Sequence, residues 1–81
     1  MQAKESVRQF ILKNYLFSAD ESDLKDQESL IKGGVLDSTG VLELIMFLQE
    51  QFSIEVADEE MIPENLDSVH SIVAFVARKR A

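Results

Sequence analysis

The stretch from residue 33 to residue 52 limits the fold of this 81-residue chain more than any other part of it. Gly33 and Gly34 permit a tight turn, and Asp37 and Ser38 come just where a helical pattern begins. Apolar residues then recur with the spacing of one buried helix face: Val41, Leu44, Ile45, Leu48 and Phe52. The pattern predicts a helix that begins at position 38 or 39 and ends at position 51 or 52.

Helical spacing also occurs near both ends of the chain. The first helix is predicted over about residues 3–17. Its apolar side is expected to contain Val7, Phe10, Ile11 and Tyr15, widened near the end by Leu12, Leu16 and Phe17. Phe17 has a second interpretation, as the first residue of the loop. The last helix is predicted to begin near position 67 or 68. It is expected to bury Val69, Ile72, Val73 and Val76, with Phe75 on the margin, and to end in the basic cap Arg78, Lys79 and Arg80.

A long connection, residues 18–37, separates the first two helices. It opens with a polar run, after which Leu30 and Ile31 are predicted to fold under the domain. Val35 and Leu36 are predicted to pin the loop to the core, because a loop of this length in a compact domain is usually ordered by its own packing or functional. That packing would fix the direction in which Ser38 points.

A brief third helix is predicted over about residues 59–62. Asp58 is a good N-cap, and Pro63 should end the helix at or before Ile62. Before it, Ile54 and Val56 are expected to alternate inward. Together the segments predict an all-α four-helix bundle with three main helices, a short third helix and a long first loop, in a single domain spanning residues 1–81.

The charge of the chain is unevenly distributed. The formal net charge is −7, and no Lys or Arg occurs between Gly33 and Ala77, whereas nine acidic residues do. Nucleic acid is excluded as a partner, because phosphate binding needs clustered basic residues. Two interpretations of the acidic segment stay open: a solvated surface that maintains solubility, or a docking surface that steers basic partners.

Several kinds of site lack the residues that they need. There is no Cys, so disulfides and thiolate metal sites are excluded, and we expect no metal. His70 is the single histidine and is predicted to lie on the surface. No apolar run resembles a signal peptide or a membrane span, which predicts a cytoplasmic protein. We expect it to be a monomer.

Ser38 has two interpretations of its own. Asp and Ser are preferred N-caps, because their side-chain oxygens accept hydrogen bonds from free backbone N–H groups. A hydroxyl at this position is also open to modification, since a phosphate there would meet free N–H groups and the positive end of the helix dipole. No general base is evident for Ser38, so a small hydrolase is a poor third interpretation, and no catalytic residues are predicted.

A family resemblance favours modification. The glycines, Leu36 and Asp37-Ser38 are similar to the 4′-phosphopantetheine attachment site of acyl carrier proteins. The segments 43–46 and 49–52 resemble the helix that follows in that family. The residues 54–56 and 58–60 resemble its connection to a short third helix, so the resemblance covers essentially the whole chain.

The resemblance implies a carrier and not an enzyme. A phosphopantetheinyl transferase would attach the arm from coenzyme A to Ser38, next to its motif neighbour Asp37, giving a phosphoprotein whose arm holds acyl or aminoacyl groups as thioesters. An acyl- or aminoacyl-activating ligase, and acyltransferases or synthases of fatty acid, polyketide or related specialised biosynthesis, would be the other partners. The surface expected to meet them consists of Thr39, Leu42, Glu43, Met46, Phe47 and Glu50.

Gly40 departs from the pattern of many fatty-acid-type carriers, which have an acidic residue at that position. The sequence Asp37-Ser38-Thr39-Gly40 is more similar to discrete carriers that serve dedicated ligases, such as D-alanyl or specialised acyl carriers. The alternative from another functional class is a small helical protein–protein interaction module that is never modified.

Overall fold

The computed structural model describes residues 2–17, 20, 22 and 24–80, and in that part of the chain all regular structure is helical. Helix α1 (Gln2–Ile11) continues as a π-helical turn (Leu12–Leu16). Helix α2 (Ser38–Phe52) follows the long first loop. A 3₁₀ turn (Asp58–Glu60) leads to the short α3 (Pro63–Leu66), and α4 (Val69–Arg80) ends the fold. The prediction of three main helices with a short third helix is therefore confirmed.

The core is built from the apolar faces that the helical spacing predicts. Buried side chains come from α1 and its π-helical turn, the first loop, α2, the connection after α2, α3 and α4, namely Val7, Ile11, Leu12, Leu24, Leu30, Leu36, Leu44, Ile45, Leu48, Ile54, Val56, Leu66, Val69, Ile72, Phe75 and Val76. No polar or charged side chain of the described residues is buried. None of the helices described has both the length and the apolar character needed to cross a bilayer.

The prediction for one aromatic residue was wrong: Phe75 was expected on the margin of α4 but is only 1% exposed, whereas Val73 is half-buried. Of the two interpretations of Phe17, the structure supports the loop, because Phe17 follows the last helical turn and is 83% exposed. Its φ of 51° is left-handed, and its N–H donates to the Leu12 carbonyl. This cap turns the chain away from the helix, so the Phe17 side chain leaves the apolar face.

The prediction for the third helix also needs correction. The 3₁₀ turn ends at Glu60, and Asp58 does not cap it, because the N-cap position is Ala57. Pro63 begins α3 and does not merely end a preceding helix. A proline suits the first helical position, where its missing N–H has no intrahelical partner and its fixed φ is already helical.

The second half of the first loop is anchored by the carboxylate of Asp67. The Ser29 hydroxyl donates to both of its oxygens, at 2.9 and 2.8 Å, and the Ile31 N–H donates to one of them at 2.9 Å. The Leu30 N–H donates to the Asp67 carbonyl at 2.6 Å. Leu30 and Leu36 are buried as predicted, but Ile31 is 40% exposed, because the chain turns at this point.

Ion pairs fix the other contacts between the segments. Lys4 and Arg8 of α1 both contact Asp26, each at 2.6 Å, and the hydrogen bond from Lys4 is the main cause of the lowered pKa of Asp26. Lys79 contacts Glu60 at 2.9 Å and likewise lowers the pKa of that carboxyl. The basic end of α4 therefore holds the 3₁₀ turn, beyond the helix-capping role that the sequence predicts.

Candidate functional site

The start of α2 is capped by Asp37 and not by Ser38. The Asp37 carboxylate accepts a hydrogen bond from the Gly40 N–H at 2.7 Å, and its carbonyl accepts from the Val41 N–H at 2.9 Å. Ser38 is the first residue of the helix, and it is exposed. Because the Asp37 carboxylate accepts the capping hydrogen bond at the start of the helix, the Ser38 hydroxyl is not used as a cap. It is therefore available for other chemistry.

The surroundings of Ser38 hold no catalytic machinery among the described residues. No side chain in that part of the chain hydrogen-bonds to the Ser38 hydroxyl, and no group of three or more His, Asp or Glu side chains there could hold a metal ion. His70 is exposed on α4 and contacts the first loop only through its backbone N–H, which donates to the Asp26 carbonyl at 2.8 Å. The hydroxyl therefore has no activating base in the structure.

An apolar cavity of about 710 Å³ opens beside Ser38. Three elements line it: the first loop through Ile31, Gly34, Leu36 and Asp37; α2 through Ser38, Val41, Leu42 and Ile45; and the segment 61–66 through Met61, Ile62, Pro63 and Leu66. Ile31, Leu42 and Ile62 are 40%, 57% and 41% exposed and stand at its rim. We call this the cavity side of α2. The sequence did not predict it, because the helical period of α2 carries no information about the other two walls.

The opposite side of α2 is covered by aromatic rings. Phe10 of α1 stacks on Phe47 with ring centroids 4.2 Å apart, and it meets Tyr15 edge-on at 5.7 Å. A groove of about 340 Å³ runs over these rings, and Glu43, Met46 and Glu50 also line it. We call this the aromatic side of α2. Met46 is 63% exposed, whereas Phe47 is half-buried.

The predicted partner surface is therefore divided between the two sides. Leu42 lines the cavity, whereas Glu43, Met46, Phe47 and Glu50 line the groove on the aromatic side. Thr39 is exposed in the first turn of α2, immediately after Ser38. Each of these side chains except Phe47 is exposed, so the helix offers them on both flanks of the serine.

Tyr15 and Gly40 are two residues near the site whose roles the sequence did not reveal. The Tyr15 hydroxyl donates a hydrogen bond to the Glu43 carboxylate and lies 3.4 Å from the Gly40 carbonyl. Burial is the largest cause that raises the pKa of Tyr15 from 10.0 to about 12, followed by the hydrogen bond to Glu43. A Cβ at Gly40 would lie 3.3 Å from the Tyr15 ring. Gly40, where many fatty-acid-type carriers have an acidic residue, thus leaves room for the Tyr15 ring to approach the start of α2.

The geometry can be compared with known proteins. No family model matches the chain, but it is 36% identical over 76 residues to the acyl carrier protein of Helicobacter hepaticus, which covers 94% of this chain and 95% of that protein. The chain belongs to the acyl carrier protein family. It is also 47% identical over 61 residues to the D-alanyl carrier protein of Streptococcus uberis, covering 75% of this chain and 76% of that one.

Two further comparisons agree. The D-alanyl carrier protein of Streptococcus suis is 37% identical over 76 residues, covering 94% of this chain and 92% of that one. The solution structure of the holo acyl carrier protein of Nitrosomonas europaea superposes with a TM-score of 0.79 at 28% identity, covering 98% of this chain and 96% of that one. The acyl-carrier-type fold is therefore confirmed by sequence and by structure.

Membership of the family defines the kind of protein. It is a carrier and not an enzyme, and its cofactor is a covalent 4′-phosphopantetheine arm. Carrier proteins of this family act with transferases and ligases. The residues at the start of α2 fit such a group, because an exposed hydroxyl lies at a helix N-terminus, where free N–H groups favour a phosphate.

Proposed function

We propose that Ser38 is the attachment residue and that the protein carries acyl or aminoacyl groups to partner enzymes. The observation that supports this best is the exposure of Ser38 as the first residue of α2, while Asp37 caps the helix in its place. A transferase would form a phosphodiester between the Ser38 oxygen and the phosphopantetheine of coenzyme A, as the pyrophosphate bond of coenzyme A breaks, adenosine 3′,5′-bisphosphate leaves and the hydroxyl proton is lost. The arm supplies a terminal thiol, which this Cys-free chain lacks, and that thiol holds the cargo as a thioester.

In this proposal the local structure has two tasks. The first turn of α2 places the phosphodiester near backbone N–H groups and the positive end of the helix dipole, which favour a negative charge there. Asp37 keeps the turn in place through its hydrogen bond to the Gly40 N–H. The side chains of the protein thereby hold and orient the arm, and partner enzymes supply the catalysis.

The test of attachment is the substitution Ser38→Ala. The variant should fold with a loss within about 0.5 kcal/mol, because the hydroxyl makes no cap hydrogen bond in the structure. Incubated with coenzyme A and a broad-specificity phosphopantetheinyl transferase, it should gain no arm by intact mass, whereas the matched variant Ser6→Ala, at a serine of α1 outside the proposed docking surface, should gain one. An alanine variant that still gains the arm would disprove the assignment. A wild type that gains none would favour an unmodified interaction module.

Two classes of cargo fit different observations. The D-alanyl carrier proteins of two streptococci favour a small aminoacyl group, as does the sequence Asp37-Ser38-Thr39-Gly40. The apolar cavity beside Ser38 favours an aliphatic acyl chain, because burial of such a chain is driven by the apolar area that it removes from water. We propose a dedicated carrier for one of these classes in the cytoplasm, with fatty acid, polyketide or related specialised biosynthesis as its setting.

Melting temperatures can separate the two cargo classes. The holo protein would be loaded with an acetyl and with an octanoyl group, and both forms would be melted alongside the holo form. A chain that enters the cavity binds only the folded state, so the octanoyl form should melt higher than the acetyl form. The variant Ile45→Phe, which narrows the cavity, should reduce this difference. Equal melting temperatures would favour the small cargo.

We further propose that the transferase and the ligase dock on α2 around Ser38. Both must reach the same serine, and the exposed carboxylates of Glu43 and Glu50 lie on the same helix as that serine. Carboxylates at the rim of an interface mainly steer encounter, whereas apolar side chains such as Met46 supply desolvated contact. The acidic segment would then act in docking as well as in solubility.

Charge reversal tests this docking surface. Glu43→Lys with Glu50→Lys should lower transferase kcat/KM at low salt, and added salt should narrow the gap from wild type. The matched control is Glu5→Lys with Glu28→Lys, which makes the same change in net charge at two exposed positions outside α2. If both double variants are modified equally fast, the acidic surface serves solubility alone.

A further inference from the structure

The single tyrosine of the chain holds a carboxylate next to the proposed attachment residue. The Tyr15 hydroxyl, at the end of the π-helical turn, donates to a Glu43 carboxylate oxygen of α2, across 28 positions of sequence. Glu43 follows Ser38 by five residues, which is about 7.5 Å along a helix axis. The pair lies on the aromatic side of α2, about one and a half turns from Ser38, and belongs to the surface on which we propose that the transferase docks.

Contacts on several sides fix the tyrosine in turn. Its ring meets Phe10 edge-on at 5.7 Å, and Phe10 is stacked on Phe47. On the other side, its Cε1 lies 3.3 Å from the point where a Cβ at position 40 would stand, so any residue larger than glycine there would press on the ring. Gly40 and the aromatic side of α2 thus set the position of the phenol.

A free glutamate on a helix surface samples many rotamers, and ordering a long side chain on binding has an entropic cost. A carboxylate that accepts one hydrogen bond from a fixed phenol is already partly ordered, and it keeps lone pairs for a second donor. A phenol is protonated at neutral pH at its ordinary pKa of 10, so the Tyr15 hydroxyl is a donor there. A basic side chain is the complementary second donor, since the groove also contains Glu50.

We propose that Tyr15 is a positioning residue for partner recognition: its hydroxyl holds the Glu43 carboxylate in place to receive a Lys or Arg side chain of the transferase that docks at Ser38. The inference rests on the proposed function. It differs from a purely electrostatic role of the acidic residues, because it requires one carboxylate to be oriented by one hydroxyl. Gly40 leaves room for the ring, since a Cβ there would lie 3.3 Å from Tyr15 Cε1.

The test is a double-mutant cycle on the affinity of the apo protein for a phosphopantetheinyl transferase. The variants are Tyr15→Phe, Glu43→Ala and the two combined. Tyr15→Phe keeps the ring while removing only the hydroxyl, and Glu43→Ala removes the acceptor, which a glutamine would keep. Kd would be measured by titration calorimetry at low salt. Tyr15→Phe should weaken binding about two- to tenfold, the range that corresponds to the net contribution of one hydrogen bond. In the Glu43→Ala background it should have little further effect.

Two outcomes would overturn the proposal. One is an unchanged Kd for Tyr15→Phe, and the other is an equal loss in both backgrounds, which would mean that the hydroxyl does not act through Glu43. A merely structural role would give that second result, since it would not depend on the carboxylate. Failure of the proposed function is seen separately, in the mass gain at Ser38, because this cycle measures binding and not modification. The variant Glu50→Gln, on the same groove, should weaken binding without altering the effect of Tyr15→Phe.

Discussion

The two sides of α2 are built differently although one helix supplies both. The aromatic side is closed by rings, with Phe10 stacked on Phe47 and Tyr15 against Gly40. The cavity side is lined by aliphatic residues from three segments and stays open over about 710 Å³. Ser38 lines that cavity, whereas the hydrogen-bonded pair of Tyr15 and Glu43 lies on the other side.

This difference assigns two requirements of a carrier to different sides of α2: a fixed position for the helix and an open apolar surface. Stacked and edge-on ring pairs add stability beyond the area that they bury, so the aromatic side can fix the position of the helix. The open apolar wall of the cavity can contact a cargo or a partner only if other contacts keep the surrounding segments in place. On the cavity side that support comes from the first loop, which Asp67 anchors through Ser29 and Ile31.

The largest expected effect distinguishes the floor of the cavity from its rim. Leu36→Ala should lower the free energy of unfolding by about 2–5 kcal/mol, because Leu36 is 2% exposed and its removal leaves a void. Leu42→Ala, in the same cavity but 57% exposed, should change it by no more than about 0.5 kcal/mol. Urea denaturation measures both. Equal losses would mean that the rim is part of the core.

The next effect concerns the anchor of the loop. Asp67→Ala removes the acceptor of three hydrogen bonds, so it should cost about 1–3 kcal/mol and loosen the loop wall of the cavity. Amide hydrogen exchange should accelerate at Ile31 before it does at Gly40 in α2. Asp58→Ala, at an exposed carboxylate, is the matched control. If amide exchange accelerated equally on both sides of α2, the idea that Asp67 stabilises only the loop wall of the cavity would be contradicted.

A third prediction concerns the aromatic side alone, because it uses the pH dependence of stability that is linked to Tyr15. The pKa of Tyr15 is raised from 10.0 to about 12 on folding, so the unfolded chain loses this proton first as pH rises. The stability linked to Tyr15 is fully present below pH 10 and is lost as pH rises through about 12. The wild type should therefore lose more stability than Tyr15→Phe over that interval. Parallel curves from denaturation at each pH would contradict the raised pKa of Tyr15, of which burial is the largest cause and the Glu43 hydrogen bond the second.

The smallest expected effect is that of salt on the melting temperature. The groove on the aromatic side is lined by Glu43 and Glu50, whereas the cavity is lined by one charged residue, Asp37. Screening of the repulsion among nine acidic residues should raise the melting temperature by about 1–3 °C between low and moderate salt. Glu43→Gln with Glu50→Gln should reduce that rise. A flat or falling melting temperature in the wild type would show that repulsion is not significant.

Much of the framework followed from the sequence alone. The helical period of the apolar residues gave the bounds of α2 and the buried positions Leu44, Ile45 and Leu48, because a face that must be buried recurs every three or four residues. The Asp37-Ser38 pair marked the start of that helix, and composition excluded thiol chemistry. These features depend only on residues that are close in sequence or on composition, so they can be predicted from the sequence.

The tertiary structure decided everything that depends on residues distant in sequence. Ile31, Phe17 and Phe75 each lie where the path of the chain places them, against the simplest apolar pattern. The two sides of α2 exist only because α1 covers one and the first loop with the 61–66 segment borders the other. Tyr15 reaches the Gly40 carbonyl across 25 positions, and no helical period within either segment specifies that contact. Packing between segments, which periodicity does not encode, therefore determined the surroundings of Ser38.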